Sequence, residues 1–85
     1  MSPAEIQSML KREPFVPFRI CLSDQREYPI DRPYLVWVGN RETWIGLVRE
    51  TASPFFDEAV IVSNIHITRL EPIVPLVSPP KSPTA

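Results

Sequence analysis

The stretch Glu13-Pro14-Phe15-Val16-Pro17-Phe18-Arg19-Ile20, written EPFVPFRI, lies where the spacing of apolar residues changes along the chain. Taken alone, its P-x-x-P motif is typical of an exposed ligand for a partner's binding groove. The neighbouring residues favour another interpretation. Phe18 begins a strand-like alternation directly after the second proline, and Phe15 can pack under a preceding amphipathic helix. We therefore predict that EPFVPFRI is a rigid joint between a helix and the first strand.

The segment before this joint has the pattern of a capped helix. Ser2 is a favoured N-cap residue, Pro3 suits the first helical position, and Glu5 can accept a hydrogen bond from the Ser2 amide. Apolar residues then recur at i, i+3 and i+4, namely Ile6, Met9 and Leu10. Pro14 disfavours helical geometry in the residue before it. The pattern predicts a helix over about residues 3–12, with Lys11 and Arg12 in its last turn.

After the joint, short apolar runs separated by turn residues predict about five strands. The first run alternates apolar and polar residues, with Phe18, Ile20 and Leu22 on one face. Pro29 confines the short second run, at 27–30, to an edge or a bulge. The later runs lie at 35–38, 43–48, 59–62 and 65–70, and a break at Ser63-Asn64 separates the last two. Connections this short require antiparallel pairing.

The predicted architecture is mainly β with one N-terminal α-helix. The strands would form a small SH3-like or Sm-like barrel or a strongly bent sheet, with Gly46 at a bend and the helix over one open end. A flat open sheet with the helix on one face is the alternative. We predict a single domain over residues 1–72 and a disordered, proline-rich tail over 73–85, which contains Pro75, Pro79, Pro80 and Pro83.

Composition and charge exclude several functions. Nine basic residues against ten acidic ones leave the chain nearly neutral, so we expect no binding to nucleic acid or membranes through bulk charge. The apolar runs are shorter than the roughly 20 residues that span a bilayer, and the N-terminal residues lack a signal-peptide pattern. A single cysteine excludes an internal disulfide. The expectation is a cytoplasmic protein without a membrane partner.

Two motifs carry a resemblance to a group of proteins. The first comprises Pro14, Phe15, Pro17, Phe18, Ile20, Leu22, Asp24 and Arg26, and the second comprises His66, Ile67, Leu70, Glu71 and Pro72. With these residues the chain resembles small uncharacterised bacterial proteins that begin P-F-x-P-F-x-I-x-L-x-D-G-R and close H-I-x-x-I-E-P. Leu70 stands where that pattern has isoleucine, and Gln25 where it has glycine. Gln25 therefore predicts a type I turn rather than a turn that needs positive φ. The resemblance implies no activity.

The chain offers little for catalysis. Cys21 and His66 are the only residues of their types and would be the candidates for a nucleophile and its base. The alternative is a half-buried strand thiol and a histidine at a strand end. One cysteine and one histidine do not fill a tetrahedral zinc site, and two glycines do not form a phosphate-binding loop. We interpret the carboxylates Asp57, Glu58 and Glu71 as solvated, and we predict no enzyme activity, metal or cofactor.

Aromatic residues and arginines mark a candidate binding surface. Trp37 and Trp44 flank a turn at 39–42, which would place them opposite each other on adjacent strands. They either pack together or expose a platform for a base or a proline. Of the adjacent Phe55 and Phe56, we expect one to enter the end of the barrel and the other to be a contact site. The candidate surface comprises Arg19, Arg26, Tyr28, Arg32, Tyr34, Trp37, Phe55 and Phe56.

These features favour a non-enzymatic binding module that acts through protein–protein contacts, with a partner or through self-association. The alternative is an oligomeric RNA-binding protein, because the chain has a fainter likeness to the Sm-like RNA chaperones. Those proteins also run from a helix into five strands, with an early strand of the form apolar-x-Leu-x-(Asp/Asn)-Gly. Shared topology alone does not establish function. No small-molecule substrate is indicated.

Overall fold

The computed structural model describes residues 1–50 and 53–73. They form one helix and six strands: α1 Pro3–Leu10, β1 Phe18–Leu22, β2 Glu27–Ile30, β3 Val36–Val38, β4 Glu42–Leu47, β5 Glu58–Ser63 and β6 Ile67–Pro72. Short 3₁₀ turns lead into β3 at Pro33–Leu35 and into β6 at Asn64–His66. The mainly β prediction with one N-terminal helix is confirmed, and the predicted count of about five strands is one too few. The proline-rich tail lies outside the described residues from residue 74 onward.

The capping box of α1 is formed as predicted. The Glu5 amide donates to Ser2 Oγ at 3.3 Å, and Glu5 Oε1 accepts from the Ser2 amide at 3.0 Å. The helix ends at Leu10, two residues before the predicted end at 12. Its C-cap residue, Lys11, has already left helical geometry at φ −98° and ψ 7°. The cations expected in the last turn therefore lie at and beyond the helix end.

The EPFVPFRI stretch is the joint between α1 and β1. Phe18 opens β1 and is fully buried, together with Ile6 of α1. The ring of Phe15 lies edge-on to that of Phe18, with centroids 6.1 Å apart. The far end of the chain closes on the same joint, because the Ile73 amide donates to the Pro17 carbonyl at 2.7 Å. The phenylalanines of the stretch therefore pack in and against the protein's own core.

The strands form two antiparallel sheets of three strands each, in the orders β2–β1–β6 and β3–β4–β5. This differs from the predicted closed barrel or single bent sheet. In the described chain, each link between the two sheets contains a 3₁₀ turn, one between β2 and β3 and one between β5 and β6. Apolar residues of both sheets and of α1 form one core: Ile6, Phe18, Ile20, Ile30, Val36, Ile45, Val62 and Ile67.

The hairpin between β1 and β2 corrects the expectation for Gln25. Its amide donates to the Leu22 carbonyl at 3.1 Å, and the Leu22 amide donates to the Arg26 carbonyl at 2.9 Å. Between these bonds the backbone of Gln25 has a φ of 76°. The chain thus adopts the positive φ that the glycine of the related pattern would supply without steric cost. The prediction that a glutamine avoids this conformation was wrong.

The described helices do not reach the length and apolar content that a membrane crossing requires.

Candidate functional site: an aromatic groove

The outer face of the β3–β4–β5 sheet carries a row of exposed apolar side chains. Along β3, Val36 points into the core and Trp37 points outward with 64% of its surface exposed. Trp37 pairs with Trp44 across the ladder, as predicted, and Trp44 pairs with Ile61 of β5. Both tryptophans are exposed, since Trp44 retains 43% of its accessible surface. The pair therefore forms a platform on the surface and contributes no packing to the core.

The tryptophans form one side of a groove of about 250 Å³. We call it the aromatic groove, and its lining consists of Tyr34, Leu35, Trp37, Trp44, Ile45, Gly46, Pro54, Phe55, Phe56 and Ala59. A shallower hollow with Val38, Gly39 and Glu42 continues it past the other side of the two tryptophans. The surface is thus an elongated, mainly apolar channel with a carboxylate at one end.

Both phenylalanines of the loop before β5 lie on this surface. Phe55 is 74% exposed and Phe56 is also exposed, so neither enters the core. The expectation that one of them fills a barrel end was wrong, because the two sheets leave no closed end to receive it. The loop is shaped by Ser53, whose hydroxyl accepts from the Phe55 amide at 3.1 Å.

Gly46 makes room for Phe56 in the groove. A Cβ at this position would lie 3.2 Å from Phe56 Cβ and 3.2 Å from Leu35 Cδ2, which is tighter than ordinary contact. The β4–β5 ladder runs through Gly46 in regular register, with Ala59 as its partner. The glycine therefore serves the close approach of Phe56 and does not mark the predicted bend.

Arg32 ties Tyr34 to the loop that carries the phenylalanines. Its Nη1 donates to the Tyr34 hydroxyl at 3.3 Å and to the Ser53 carbonyl. The hydrogen bond with Tyr34 raises the pKa of Arg32 further above its usual value, and Asp31 forms an ion pair with it at 3.5 Å. The guanidinium thus holds two segments of the groove wall together.

The remaining predicted residues lie elsewhere. Arg19 is on the outer face of the other sheet, within 3.9 Å of Glu27 and 3.8 Å of Glu71. Arg26 and Tyr28 line a cleft of about 480 Å³ between the β1–β2 hairpin and β5, with both polar and apolar walls. Five of the eight candidates therefore surround or support the aromatic groove: Arg32, Tyr34, Trp37, Phe55 and Phe56. Trp44 was missing from that prediction, although its position opposite Trp37 was the signal that could have included it.

Cys21 lies beneath paired carboxylate and guanidinium groups on the β2–β1–β6 sheet. Its sulfur and carboxylate oxygens of Glu27 and Glu71 lie within 4.8 Å of one another. Glu71 accepts a hydrogen bond from Arg69, which lowers the pKa of that carboxyl. Burial raises the pKa of the Cys21 thiol, since only 2% of the residue is exposed. Arg19 and Arg69 therefore already neutralise the carboxylates of Glu27 and Glu71. The raised pKa favours the protonated form of the Cys21 thiol.

Comparisons of the chain with protein-family models, curated proteins and solved structures each found no match. What the aromatic groove can bind is therefore inferred from its own side chains. They offer flat rings, apolar surface and few hydrogen-bonding groups, which suits a ligand whose own polar groups can stay in water.

Proposed function

We propose that the protein is a non-enzymatic binding module that acts through protein–protein contacts, and that the aromatic groove docks an extended, proline-containing segment of its partner. The observation that carries this proposal is the convergence of exposed aromatic residues on one groove: Tyr34, Trp37, Trp44, Phe55 and Phe56. Exposing apolar surface of this kind to water costs free energy, and that free energy is recovered when a partner covers the surface. Aromatic residues are also the side chains most often found at the energetic centre of an interface.

The chemistry of the groove selects the type of partner segment. A polyproline II helix has no internal hydrogen bonds and a fully solvated backbone, so it breaks no internal hydrogen bond when one side packs on apolar rings. It is also already extended, which lowers the entropy lost on binding. Segments of this type dock between aromatic side chains in known recognition modules, and the wall of exposed rings beside Pro54 offers the same kind of surface.

We further propose that the two-sheet arrangement is an opened relative of the SH3-like and Sm-like small barrels. The 3₁₀ turn Asn64–His66 between β5 and β6 and the helix that precedes β1 support this relation. A cytoplasmic location belongs to the same proposal and rests on the single cysteine, Cys21, which is a free thiol.

An RNA-binding role is the second candidate, because exposed Trp37 and Trp44 could stack on bases. RNA binding also needs cations that face the phosphates. Three arginines instead face carboxylates: Arg19 lies beside Glu71, Arg26 beside Asp24, and Arg49 3.6 Å from Glu58. Protein–protein contact is therefore the better proposal.

A titration tests both candidates in one design. The chain would be titrated with a synthetic polyproline peptide and with a single-stranded oligouridine, each at low and high salt. We expect the peptide to bind with little salt dependence and the oligouridine to bind weakly or not at all. RNA binding that weakens steeply as salt rises would overturn the proposal in favour of the second candidate.

A matched pair of variants locates the binding surface. Trp37→Ala removes an exposed ring of the groove and should weaken peptide binding about 30-fold, the effect of losing roughly 2 kcal/mol at an interface anchor. Ile65→Ala is the control, because Ile65 is 80% exposed but lies outside the groove. Equal losses in both variants, or none in either, would contradict the assignment of the groove.

A further inference from the structure

We propose that residues 78–83 of this chain, Ser-Pro-Pro-Lys-Ser-Pro, bind in the aromatic groove of the same molecule and compete there with the partner segment. This inference rests on the proposed function of the groove and names a ligand that the chain itself carries. Pro80 and Pro83 form a P-x-x-P pair in this segment. The same spacing in the EPFVPFRI joint flanks Phe15, which packs on Phe18, and the pair Pro72 and Pro75 begins inside β6. Pro80 and Pro83 are therefore the P-x-x-P pair that follows the last strand along the chain.

The path of the chain brings the segment within reach. Pro72 pairs with Phe18 on β1, and Phe18 pairs with Ile30 on β2, so Pro72 lies about 10 Å from Ile30 at the usual strand spacing. Four further residues lead from Ile30 to Tyr34 at the groove, which adds at most about 14 Å. The groove therefore begins no more than about 24 Å from the point where β6 ends.

The length of the remaining chain matches this distance. Residues 74–85 span about 37 Å as a polyproline II helix, at roughly 3.1 Å per residue. About seven residues suffice even for the longest possible path to Tyr34, and on a shorter path residues 78–83 can lie along the aromatic rings. A connection this short also gives the segment a high effective concentration at its own groove.

Charge complements the apolar contact. Lys81 is the cation of the segment, and Glu42 stands exposed beside the tryptophan pair at the end of the groove. Among the described residues, Glu42 takes part in no ion pair. The segment therefore offers prolines for the rings and a cation for that carboxylate.

The test uses the full chain and its two tryptophans, both of which line the groove. Quenching of their fluorescence by acrylamide would be compared in the native chain, in the double variant Pro80→Ala with Pro83→Ala, and in Pro75→Ala. The last is the control, because it makes the same substitution in the part of the tail that only connects β6 to the groove. We expect stronger quenching in the double variant and native quenching in Pro75→Ala.

A binding measurement completes the test. A synthetic peptide of residues 78–85 should bind the double variant about fivefold more tightly than the native chain, if the native groove is occupied for about four-fifths of the time. Equal quenching in all three chains, with polyproline binding but no binding of this peptide, would overturn the inference and leave the proposed function standing. Failure of every peptide to bind would overturn both. Quenching that changes with protein concentration would also overturn the inference, because it would place the segment in a second copy.

Discussion

The Thr43 hydroxyl donates a hydrogen bond of 2.7 Å to Oδ1 of Asn64, and both residues are buried. The amide nitrogen of the same Asn64 side chain donates to the Gly39 carbonyl at 2.8 Å, and its backbone amide donates to the Arg41 carbonyl at 2.8 Å. One asparagine thus fastens the β3–β4 turn to the 3₁₀ turn before β6. This link anchors the β3–β4 hairpin, which carries Trp37 and Trp44.

Asn64→Ala should lower the free energy of unfolding by about 2–4 kcal/mol, because it removes the partner of the buried Thr43 hydroxyl and that of the partly buried Gly39 carbonyl. Thr43→Val, which preserves shape, should cost less, about 1–2 kcal/mol. Urea denaturation measures both. The double variant should lose less than the two single losses combined, since the residues share one bond. Strictly additive losses would contradict a direct coupling between Thr43 and Asn64.

A substitution at Gly46 should change peptide affinity more than it changes the free energy of unfolding. Gly46→Ala should displace exposed Phe56 and weaken polyproline binding about tenfold, which corresponds to about 1.4 kcal/mol. The free energy of unfolding should change by less than about 1 kcal/mol, because alanine also suits a strand better than glycine does. Calorimetric titration and urea denaturation give the two quantities.

Gly39→Ala is the matched contrast, since its Cβ would lie 2.7 Å from the backbone carbonyl oxygen of Glu42. That clash involves backbone, so this variant should lose stability by more than about 1 kcal/mol. Loss of stability in Gly46→Ala with peptide affinity intact would contradict the role given to Gly46.

Local patterns were sufficient to predict some of these features. The cap of α1 involves Ser2 and Glu5, three residues apart, and the tryptophan pair follows from the turn between its strands. Asn64 was interpreted only as a break after an apolar run. Its burial depends on Thr43 and Gly39, which lie 21 and 25 residues away in the sequence. The division into two sheets likewise depends on pairing between β1 and β6, which periodicity within each strand does not contain.

Cys21 should react slowly with a thiol reagent such as Ellman's reagent while the protein is folded. Its raised pKa means that less thiolate is present at a given pH than for a free cysteine, and its burial blocks access. At pH 8 we expect the reaction to be at least on the order of tenfold slower than in urea. Polyproline binding by Cys21→Ala should equal that of the native chain. A fast reaction in the folded state would contradict the burial of this thiol.

The capping box of α1 makes the stability of the protein depend on pH. Hydrogen bonds from the Ser2 amide and hydroxyl lower the pKa of Glu5 in the folded protein. A carboxyl whose pKa is lower in the folded state stabilises the fold above its unfolded pKa of about 4.3. That contribution is lost as the pH falls through this range and below the folded pKa. Glu5→Gln should therefore be less stable than the native chain at pH 6 and should match it near pH 2.

The pH series is measured by thermal unfolding with circular dichroism. Glu13→Gln is the control, because Glu13 is an exposed carboxylate in the joint and caps no helix. A difference between Glu5→Gln and the native chain that stays constant from pH 6 to about pH 2 would show that charge on Glu5 does not contribute.

The division into two sheets also decides how the protein behaves when it is concentrated. A closed barrel has no outer strands, whereas these two sheets have four: β2, β6, β3 and β5. An outer strand is a template for fibril growth unless something interrupts it. Pro29 interrupts β2, β3 is only three residues long, and β6 carries Arg69 and Glu71. The six-residue β5, with exposed Ile61, has the least protection of the four. We therefore expect Ile61→Lys to reduce aggregation in concentrated samples, which a turbidity measurement would show.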